Sequence, residues 1–276
     1  MTQPQYIRES ILAGTWYPES ETALSGMIRH FLSRAENPPV DQQILGLIAP
    51  HAGYIYSGQT AAYAYQTLQG KQINTVAVLA PLHRMPLGMY VTTQASYYRT
   101  PLGKVPVAQD LIQEINQSIP LKQVAHDNEH AVEIQLPFLQ SVLKEFRLLP
   151  MMIGHGDVFA VGEMVQALTT LAQKEKILFI ASSDMHHIPD YGQVLERDFH
   201  IREKLETYNL ESIRELLNDP DCTVCGRVAI SIVLEVCRNL GARRCRILHQ
   251  TNSGDVTGNR EEGEYTVGYL AAALTV

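Results

Sequence analysis

Four runs of apolar residues, each of strand length and without polar alternation, divide the first two-thirds of the chain. They cover residues 44–49, 75–80, 147–153 and 176–182. A continuous apolar run is typical of a strand that is buried on both faces, as in a parallel sheet. The pattern therefore predicts an α/β fold built on a core of buried strands.

Helical periodicity fills most of the segments around these strands. The predicted helices cover residues 21–34, 60–68, 108–117, 158–171 and most of 190–240. Ser57 is the expected N-cap of the second helix and Gly70 its end. Further β-structure is predicted as a hairpin within 88–107 and as strands at 245–250 and 265–274. Residues 251–258 are polar and glycine-bounded, which predicts a loop.

Composition narrows the class of protein. The chain has 276 residues, 45% of them hydrophobic and 18% charged, and a net charge of −7 without a Lys/Arg cluster. Nucleic acid is therefore not an expected partner. No apolar run approaches the roughly 18 residues of a membrane span, and the first six residues lack the features of a signal peptide. With no repeat or linker, and residues 1–43 as a lead-in, we expect a single cytoplasmic domain over residues 1–276.

The four cysteines do not form a disulfide framework in a chain of this length. Cys222 and Cys225 form one C-x-x-C pair, but Cys237 and Cys245 are spaced too far apart to complete a second. This spacing argues against a structural zinc site.

Histidines follow the predicted strands at their carboxyl ends. His51 comes directly after Pro50, His83 two residues after Pro81, and the adjacent His186 and His187 shortly after residue 182. Carboxyl ends of parallel strands meet at one edge of a sheet, which is where ligands bind in open α/β folds. Any one of these histidines could instead be hydrogen-bonded within a tight turn. The repetition of the pattern at several strands favours a role in catalysis or ligand binding. His186 and His187 should point opposite ways, so only one would enter a pocket.

Two imidazoles and a carboxylate form the facial triad typical of non-heme Fe(II) sites, which leaves positions open for substrate and O₂. The same ligands can hold zinc with a bound water, so the ligand types do not decide the metal. Asp255, in the loop after a late strand, is the candidate carboxylate, although an Asx-turn also explains an aspartate there. A further histidine could act as acid/base near neutral pH.

Several longer motifs identify the chain as similar to the Memo family, whose prokaryotic members are called AmmeMemoRadiSam system protein B. The matching segments are AGTWYP at 13–18, APHAGYIYSG at 49–58, EHAVEIQLPF at 129–138, SSD at 182–184, CG at 225–226 and NSGDVTG at 252–258. That family resembles the class III extradiol (LigB-like) dioxygenases. The resemblance implies a three-layer α/β/α fold with a mostly parallel central sheet.

The resemblance also implies roles for individual residues. Metal ligands are expected at His51, His83 and Asp255, and an acid/base histidine at His187, with Asp184 beside it to orient it. Fe(II) is the implied metal, with zinc or copper as alternatives. The dioxygenases use Glu where this chain offers the shorter Asp255, which weakens the transfer of ring-cleavage chemistry.

Other residues of the motifs are expected near the pocket. They are His130, Glu133, His126, Arg84 and Tyr54, which would support the ligands or line the pocket. His126 and His130 could equally be helix-entry residues that the backbone satisfies. Arg84 could hold an anionic substrate, although a solvated loop charge is the simpler interpretation.

Three functions remain open from the sequence. The first is an Fe(II)-dependent oxygenase-like enzyme acting on a small molecule, and the second is a binding, metal-handling or adaptor protein that keeps the pocket without turnover. The third is a metal-assisted hydrolase or transferase that works with the radical-SAM and AMME-domain partners implied by the prokaryotic family name.

Overall fold

A computed structural model describes residues 6–36, 40, 42–84 and 87–276 of the chain. The strands are β1 (Ile7–Arg8), β2 (Ile44–Ala49), β3 (Thr75–Pro81), β4 (Tyr90–Thr93), β5 (Tyr97–Thr100), β6 (Gly103–Pro106), β7 (Lys122–Val124), β8 (Arg147–Ile153), β9 (Ile177–Ser182), β10 (His187–Ile188), β11 (Arg244–Asn252) and β12 (Thr266–Thr275). The α-helices are α1 (Glu21–Arg34), α2 (Tyr54–Gln66), α3 (Gln109–Asn116), α4 (Leu136–Val142), α5 (Gly162–Lys174), α6 (Tyr191–Thr207), α7 (Leu210–Leu217), α8 (Arg227–Asn239) and α9 (Ser253–Thr257).

Nine strands form the large sheet, in the order β10-β12-β2-β9-β3-β8-β4-β7, with β11 paired to β12. The centre is parallel, because β9 lies between β2 and β3 and pairs in parallel with both, and β8 pairs in parallel with β3. β12 joins β2 antiparallel, and β4 joins β8 antiparallel. The carboxyl ends of β2, β9 and β3 therefore lie side by side at one edge.

The central strands are buried along their whole length. Every residue of β2, β3 and β9 is buried, as the continuous apolar runs predict for strands covered on both faces. The predicted bounds of β8 agree with the structure, and those of β9 differ by one residue.

Helices cover both faces of the sheet. α8 packs on β2, β3 and β9, with α5 and α7 against it, and α2 packs on β2, β11 and β12, with α1 and α4 against it. The predicted α/β/α architecture with a mostly parallel central sheet is confirmed. None of the helices in the described part of the chain is both long and apolar enough to cross a membrane.

A small second sheet contains β1, β5 and β6. β5 and β6 form the predicted hairpin, and β1, from the predicted lead-in, pairs in parallel with β5. The amino-terminal segment is therefore part of the fold and runs toward the site described below.

Two local predictions were wrong. α2 begins at Tyr54 rather than at residue 60, and Ser57 donates its hydroxyl to the Ala52 carbonyl inside the first turn instead of capping the helix. The predicted loop at 251–258 contains the short helix α9, because the Asn252 side chain accepts the Asp255 N–H and so caps it. An asparagine cap satisfies a backbone donor that a loop would leave to water.

Candidate metal centre

His51 is held at the carboxyl end of β2 by two neighbours. Its backbone N–H donates to Asp184 Oδ1 at 2.7 Å, and its Nδ1 lies 3.1 Å from Ser182 Oγ. The Ser182 hydroxyl donates its one proton to the Ala131 carbonyl and accepts from Gln135 Nε2. It must therefore accept from His51 Nδ1–H as well, which leaves the lone pair on His51 Nε2.

Glu129 orients the other two histidines of the site. Its carboxylate accepts the His83 backbone N–H at 2.7 Å and the His83 Nδ1–H at 3.0 Å, so the lone pair of that ring is on Nε2. The same carboxylate accepts the backbone N–H groups of His130 and Ala131. Outer carboxylate partners of this kind fix the ring orientation of metal-binding histidines.

The three imidazoles converge. His51, His83 and His130 each offer a donor atom, and these atoms lie within 4.8 Å of one another. The ring centroids are 5.2 Å apart for His51–His83, 5.3 Å for His51–His130 and 4.7 Å for His83–His130. His130 Nδ1 is buried 3.1 Å from Glu129 Oε1, but it makes no directed hydrogen bond with any of the described residues. A set of imidazoles with such a buried nitrogen fits a transition-metal ion.

The electrostatics keep the His51 and His130 rings neutral. Burial, reinforced by the neighbouring histidines, lowers the pKa of His51 well below its ordinary value and lowers the pKa of His130 to about 3. Burial alone would raise the pKa of Glu129, but hydrogen bonds and charge from His83 hold it at about 2. Neutral imidazole is the form that binds metal, so no proton has to leave these two rings first.

Cys225 adds a sulfur donor beside this group. Its Sγ is 3.1 Å from His51 Nε2 and accepts the Asp184 backbone N–H at 3.3 Å. Gly226 allows this approach, because a Cβ there would overlap Ser183 and the Ser182 carbonyl. Burial raises the pKa of the Cys225 thiol, so it stays protonated until a metal or base removes its proton.

The sequence predicts no role for Cys225, because its C-x-x-C spacing is that of an incomplete zinc knuckle. The one sequence signal for this residue is the short Cys225–Gly226 motif.

Asp255 does not belong to this group, and the prediction that it is the third ligand was wrong. Its carboxylate is exposed and is bound by the Tyr191 hydroxyl, Asn252 Nδ2 and Arg260 Nη2 at 2.6 to 2.9 Å. These local partners hold it on α9, outside the residues described as lining the pocket. His130 is the third member of the cluster instead.

Asp184 and His187 both line the pocket. Asp184 accepts the backbone N–H groups of His51 and Ala52, so it positions the His51 loop. His187 is positioned by Thr223, whose carbonyl lies 3.3 Å from Nδ1 and whose hydroxyl accepts the His187 backbone N–H. The expected orientation of His187 by Asp184 is thus provided by Thr223.

Glu133 and Tyr54 support the site from the core and are not among its lining residues. The buried Glu133 carboxylate accepts from Arg8, Ser10 and Tyr17 and from two backbone N–H groups. It thereby ties the amino-terminal segment to the motif at 129–138. Tyr54 is buried, donates to the Ile134 carbonyl and packs on Phe138.

His126 and Arg84 lie apart from the pocket lining. His126 pairs through Nδ1 with the Tyr6 hydroxyl at 2.7 Å. Arg84 is exposed and is not among the described lining residues. The predicted pocket roles of these two side chains were therefore wrong.

A cavity of about 630 Å³ opens over the three histidines. Trp16, from the motif at 13–18, packs against His130 with ring centroids 4.4 Å apart, and the Trp16 carbonyl accepts the Tyr54 N–H. Other lining residues are Thr15, Ile55, Tyr56, Ser253, Asn259, Glu264, Tyr265 and Tyr269. An apolar and aromatic wall with a few polar groups is typical of a small-molecule site.

A model of the Memo-like protein family matches residues 8–273. The chain belongs to the Memo family. A MEMO1 family protein of Nitrosopumilus maritimus is 31% identical over 274 residues, which cover 96% of this chain and 98% of that protein. A relative from Methanosarcina barkeri is 34% identical, with coverage of 96% and 98%. The resemblance inferred from the sequence motifs is thus confirmed.

A solved structure supports the fold at greater distance. The crystal structure of an uncharacterized protein from Escherichia coli K12 superposes with a TM-score of 0.52 at 14% sequence identity. The match covers 84% of the Memo-family chain and 100% of the other. At this identity the likeness concerns the fold alone.

Proposed function

We propose that this Memo-family protein is a metal-dependent enzyme of the oxygenase type, with Fe(II) held by His51, His83 and His130 and a small-molecule substrate in the cavity above them. One observation carries the proposal: three imidazoles, two of them with Nδ1 engaged by a hydrogen-bond partner, meet at the floor of an open cavity. Iron with three protein ligands keeps positions open for O₂ and for a substrate oxygen.

His187 is the proton-transfer group in this proposal. Its Nδ1–H points to the Thr223 carbonyl, which places the basic lone pair on Nε2. The residue lines the same cavity as the three ligands. A histidine in that position can accept the proton of a substrate hydroxyl and return it later. Asp184 preserves the geometry by holding the His51 loop.

Cys225 supports a second candidate function, which is metal binding without turnover. A thiol 3.1 Å from His51 Nε2 supplies a soft donor, and mixed thiolate and imidazole sets suit Cu(I) and zinc as well as iron. The protein would then store or transfer the metal.

The test begins with protein purified without chelators under nitrogen and loaded with Fe(II), Zn(II) or Cu(I). Oxygen consumption is then recorded with a panel of catechols. The proposal expects one Fe(II) per chain and substrate-dependent O₂ uptake. In His187→Gln, uptake should fall about 10²-fold or more, with metal content unchanged, because general acid–base catalysis contributes roughly that factor.

His126→Gln is the matched control, because it removes a histidine outside the pocket lining, and both metal content and uptake should remain. Tight Cu(I) or zinc binding without turnover would favour the second candidate, and zinc with hydrolytic activity would favour a metal-assisted hydrolase. Absence of metal binding in all three loadings would refute both metal proposals.

A further inference from the structure

A second cluster of reactive groups lies outside the cavity of the metal centre. It consists of Cys222, His186 and Asp198, and is called the Cys222 centre here. His186 is buried, and its Nδ1 lies 2.8 Å from Asp198 Oδ1, which also accepts the His186 backbone N–H at 3.0 Å. The Cys222 side chain lines one small cavity together with this imidazole, and it is among the groups that raise the pKa of His186.

The parts of the Cys222 centre come from three separate segments. Asp198 is a buried residue of α6, His186 lies just before β10, and Cys222 lies in the loop between α7 and α8. Gly268 of β12 permits the carboxylate to sit there, since a Cβ at that position would overlap it. The Gly268 N–H donates to the His186 carbonyl at 2.9 Å. The orientation of the imidazole is therefore built into the fold.

A small cavity gives access to the sulfur. It has a volume of about 200 Å³ and is lined by His186, Cys222, Arg197, His200, Asp219 and Asp221, among others. Cys222 is partly exposed. Arg197 donates to the Asp221 carbonyl, so its cation lies beside the cavity. A water molecule takes up about 30 Å³ of liquid volume, so the space accommodates a molecule of a few heavy atoms.

We propose that Cys222 is a reactive cysteine that small hydroperoxides oxidise, with His186 as the base that takes its proton and Asp198 as the carboxylate that orients this base. The order of groups is nucleophile, base and orienting carboxylate, the arrangement that activates cysteine and serine nucleophiles on unrelated folds. A cationic imidazole beside the sulfur also stabilises the thiolate, which is the reacting form. Burial opposes charge on His186, but Asp198 and Cys222 outweigh it and raise its pKa to about 9.

The reaction balances without any further reagent. Cys222 Sγ attacks one oxygen of hydrogen peroxide, so that an S–O bond forms as the O–O bond breaks. The leaving hydroxide takes the proton from His186 and departs as water. Sulfur is oxidised by two electrons, the peroxide is reduced by two, and the product is a sulfenic acid, the first step of cysteine oxidation.

The proposal does not depend on the function of the metal centre. It is tested first by the alkylation rate of each cysteine with iodoacetamide, measured by peptide mass spectrometry from pH 6 to 8. An ordinary thiol with a pKa of about 8.5 is only about 3% thiolate at pH 7, and its rate rises roughly 70-fold over this range. Because a more acidic thiol is intrinsically less nucleophilic, Cys222 should react about tenfold faster than N-acetylcysteine at pH 7. Its rate should rise less than tenfold from pH 6 to 8.

His186→Gln should reduce the rate at pH 7 about tenfold and restore the steep pH profile of an ordinary thiol. His200→Gln is the matched control, because His200 lines the same cavity outside the Cys222 centre, and the rate should stay within twofold. With one equivalent of hydrogen peroxide and dimedone, the sulfenic adduct should form at Cys222 and be absent from Cys222→Ser.

Equal rates for Cys222 and N-acetylcysteine, or a His186→Gln variant with the wild-type pH profile, would overturn the proposal. If His186→Gln does not fold, the pH profile of the wild-type protein decides alone. Apo and Fe(II)-loaded protein should react alike, which separates this result from the fate of the metal proposal.

Discussion

The metal centre and the Cys222 centre both pair buried histidine with a carboxylate, yet they favour opposite charge states. At the metal centre Glu129 contacts the imidazoles of His83 and His130, and the His51 ring lies 5.2 and 5.3 Å from them between centroids. Burial and mutual repulsion then hold His51 and His130 neutral. At the Cys222 centre one imidazole has its own carboxylate and shares a cavity with a thiol, and both groups favour its charged form.

This difference indicates that the number of imidazoles per carboxylate determines whether the histidines stay neutral and bind a metal ion or carry a proton. A carboxylate shared by two neighbouring histidines cannot compensate a proton on each of them, so lone pairs remain available to a cation. A carboxylate dedicated to one histidine supports a cation at the ring, which then stabilises a thiolate.

The sharpest test is the identity of the third ligand. His130→Ala should weaken Fe(II) or zinc binding at least about 100-fold, because one of three protein ligands is lost and a cavity opens beside the other two. Asp255→Ala should bind the metal within twofold of wild type, since this carboxylate is bound by Tyr191, Asn252 and Arg260. Competition titration with a metallochromic chelator measures both, and the reverse ranking would restore Asp255 as the ligand.

Glu129→Gln should reduce metal affinity about 10- to 100-fold, the usual range for loss of a carboxylate that orients a ligand histidine. The isosteric amide keeps the shape but removes the charge under His83 and one of the acceptor oxygens. Glu133→Gln is a useful comparison, because that carboxylate binds the amino-terminal segment. This substitution should lower the melting temperature and have less effect on metal affinity. An unchanged affinity in Glu129→Gln would contradict the role of the shared carboxylate.

The neutral histidines predict acid sensitivity of the metal-free protein. The pKa of His130 is about 3 in the folded chain against an ordinary 6.5, so between these values the unfolded chain binds the additional proton. Stability contributed by the neutral ring is therefore complete above pH 6.5 and falls as the pH drops toward 3. The free energy of unfolding, measured with urea, should therefore fall less between pH 7 and pH 4.5 in His130→Gln than in wild type. The expected difference between the two proteins is about 1–2 kcal/mol.

His186 predicts a dependence of the opposite sign. Its folded pKa of about 9 lies above the ordinary 6.5, so the folded chain retains a proton that the unfolded chain loses. The stabilisation is complete below pH 6.5 and is lost as the pH rises through about 9. Wild type and His186→Gln should differ by about 3 kcal/mol more at pH 6 than at pH 9.5. A constant difference would mean that the pair contributes packing alone.

Much of the fold was predictable because it depends on local patterns. Apolar runs without alternation identified the buried strands, and α1 agrees residue for residue with its predicted bounds. The predictions were wrong where a side chain makes a local hydrogen bond to the backbone, as when Asn252 caps α9.

The site was predictable to the level of two ligands. His51 and His83 each follow a buried strand that ends near a proline. Because parallel strands have their carboxyl ends at one edge of the sheet, the two histidines lie close together. His130 was placed near the pocket without a ligand role, because nothing in its sequence segment shows that Glu129 turns the loop toward the other two rings. Cys225 and Trp16 were missed because they reach the site through loop contacts between segments more than a hundred residues apart.

Local patterns in the chain specify which strands are buried, that histidines follow their carboxyl ends, and to which family the protein belongs. Which polar groups meet at that edge depends on how distant segments pack. Strand burial follows from a pattern repeated over a few neighbouring residues, whereas a metal site requires donor atoms from distant loops to approach within about 5 Å. Hydrogen bonds that Glu129 and Ser182 accept position His130 and orient the rings, and the local partners of Asp255 hold that carboxylate away from the cluster.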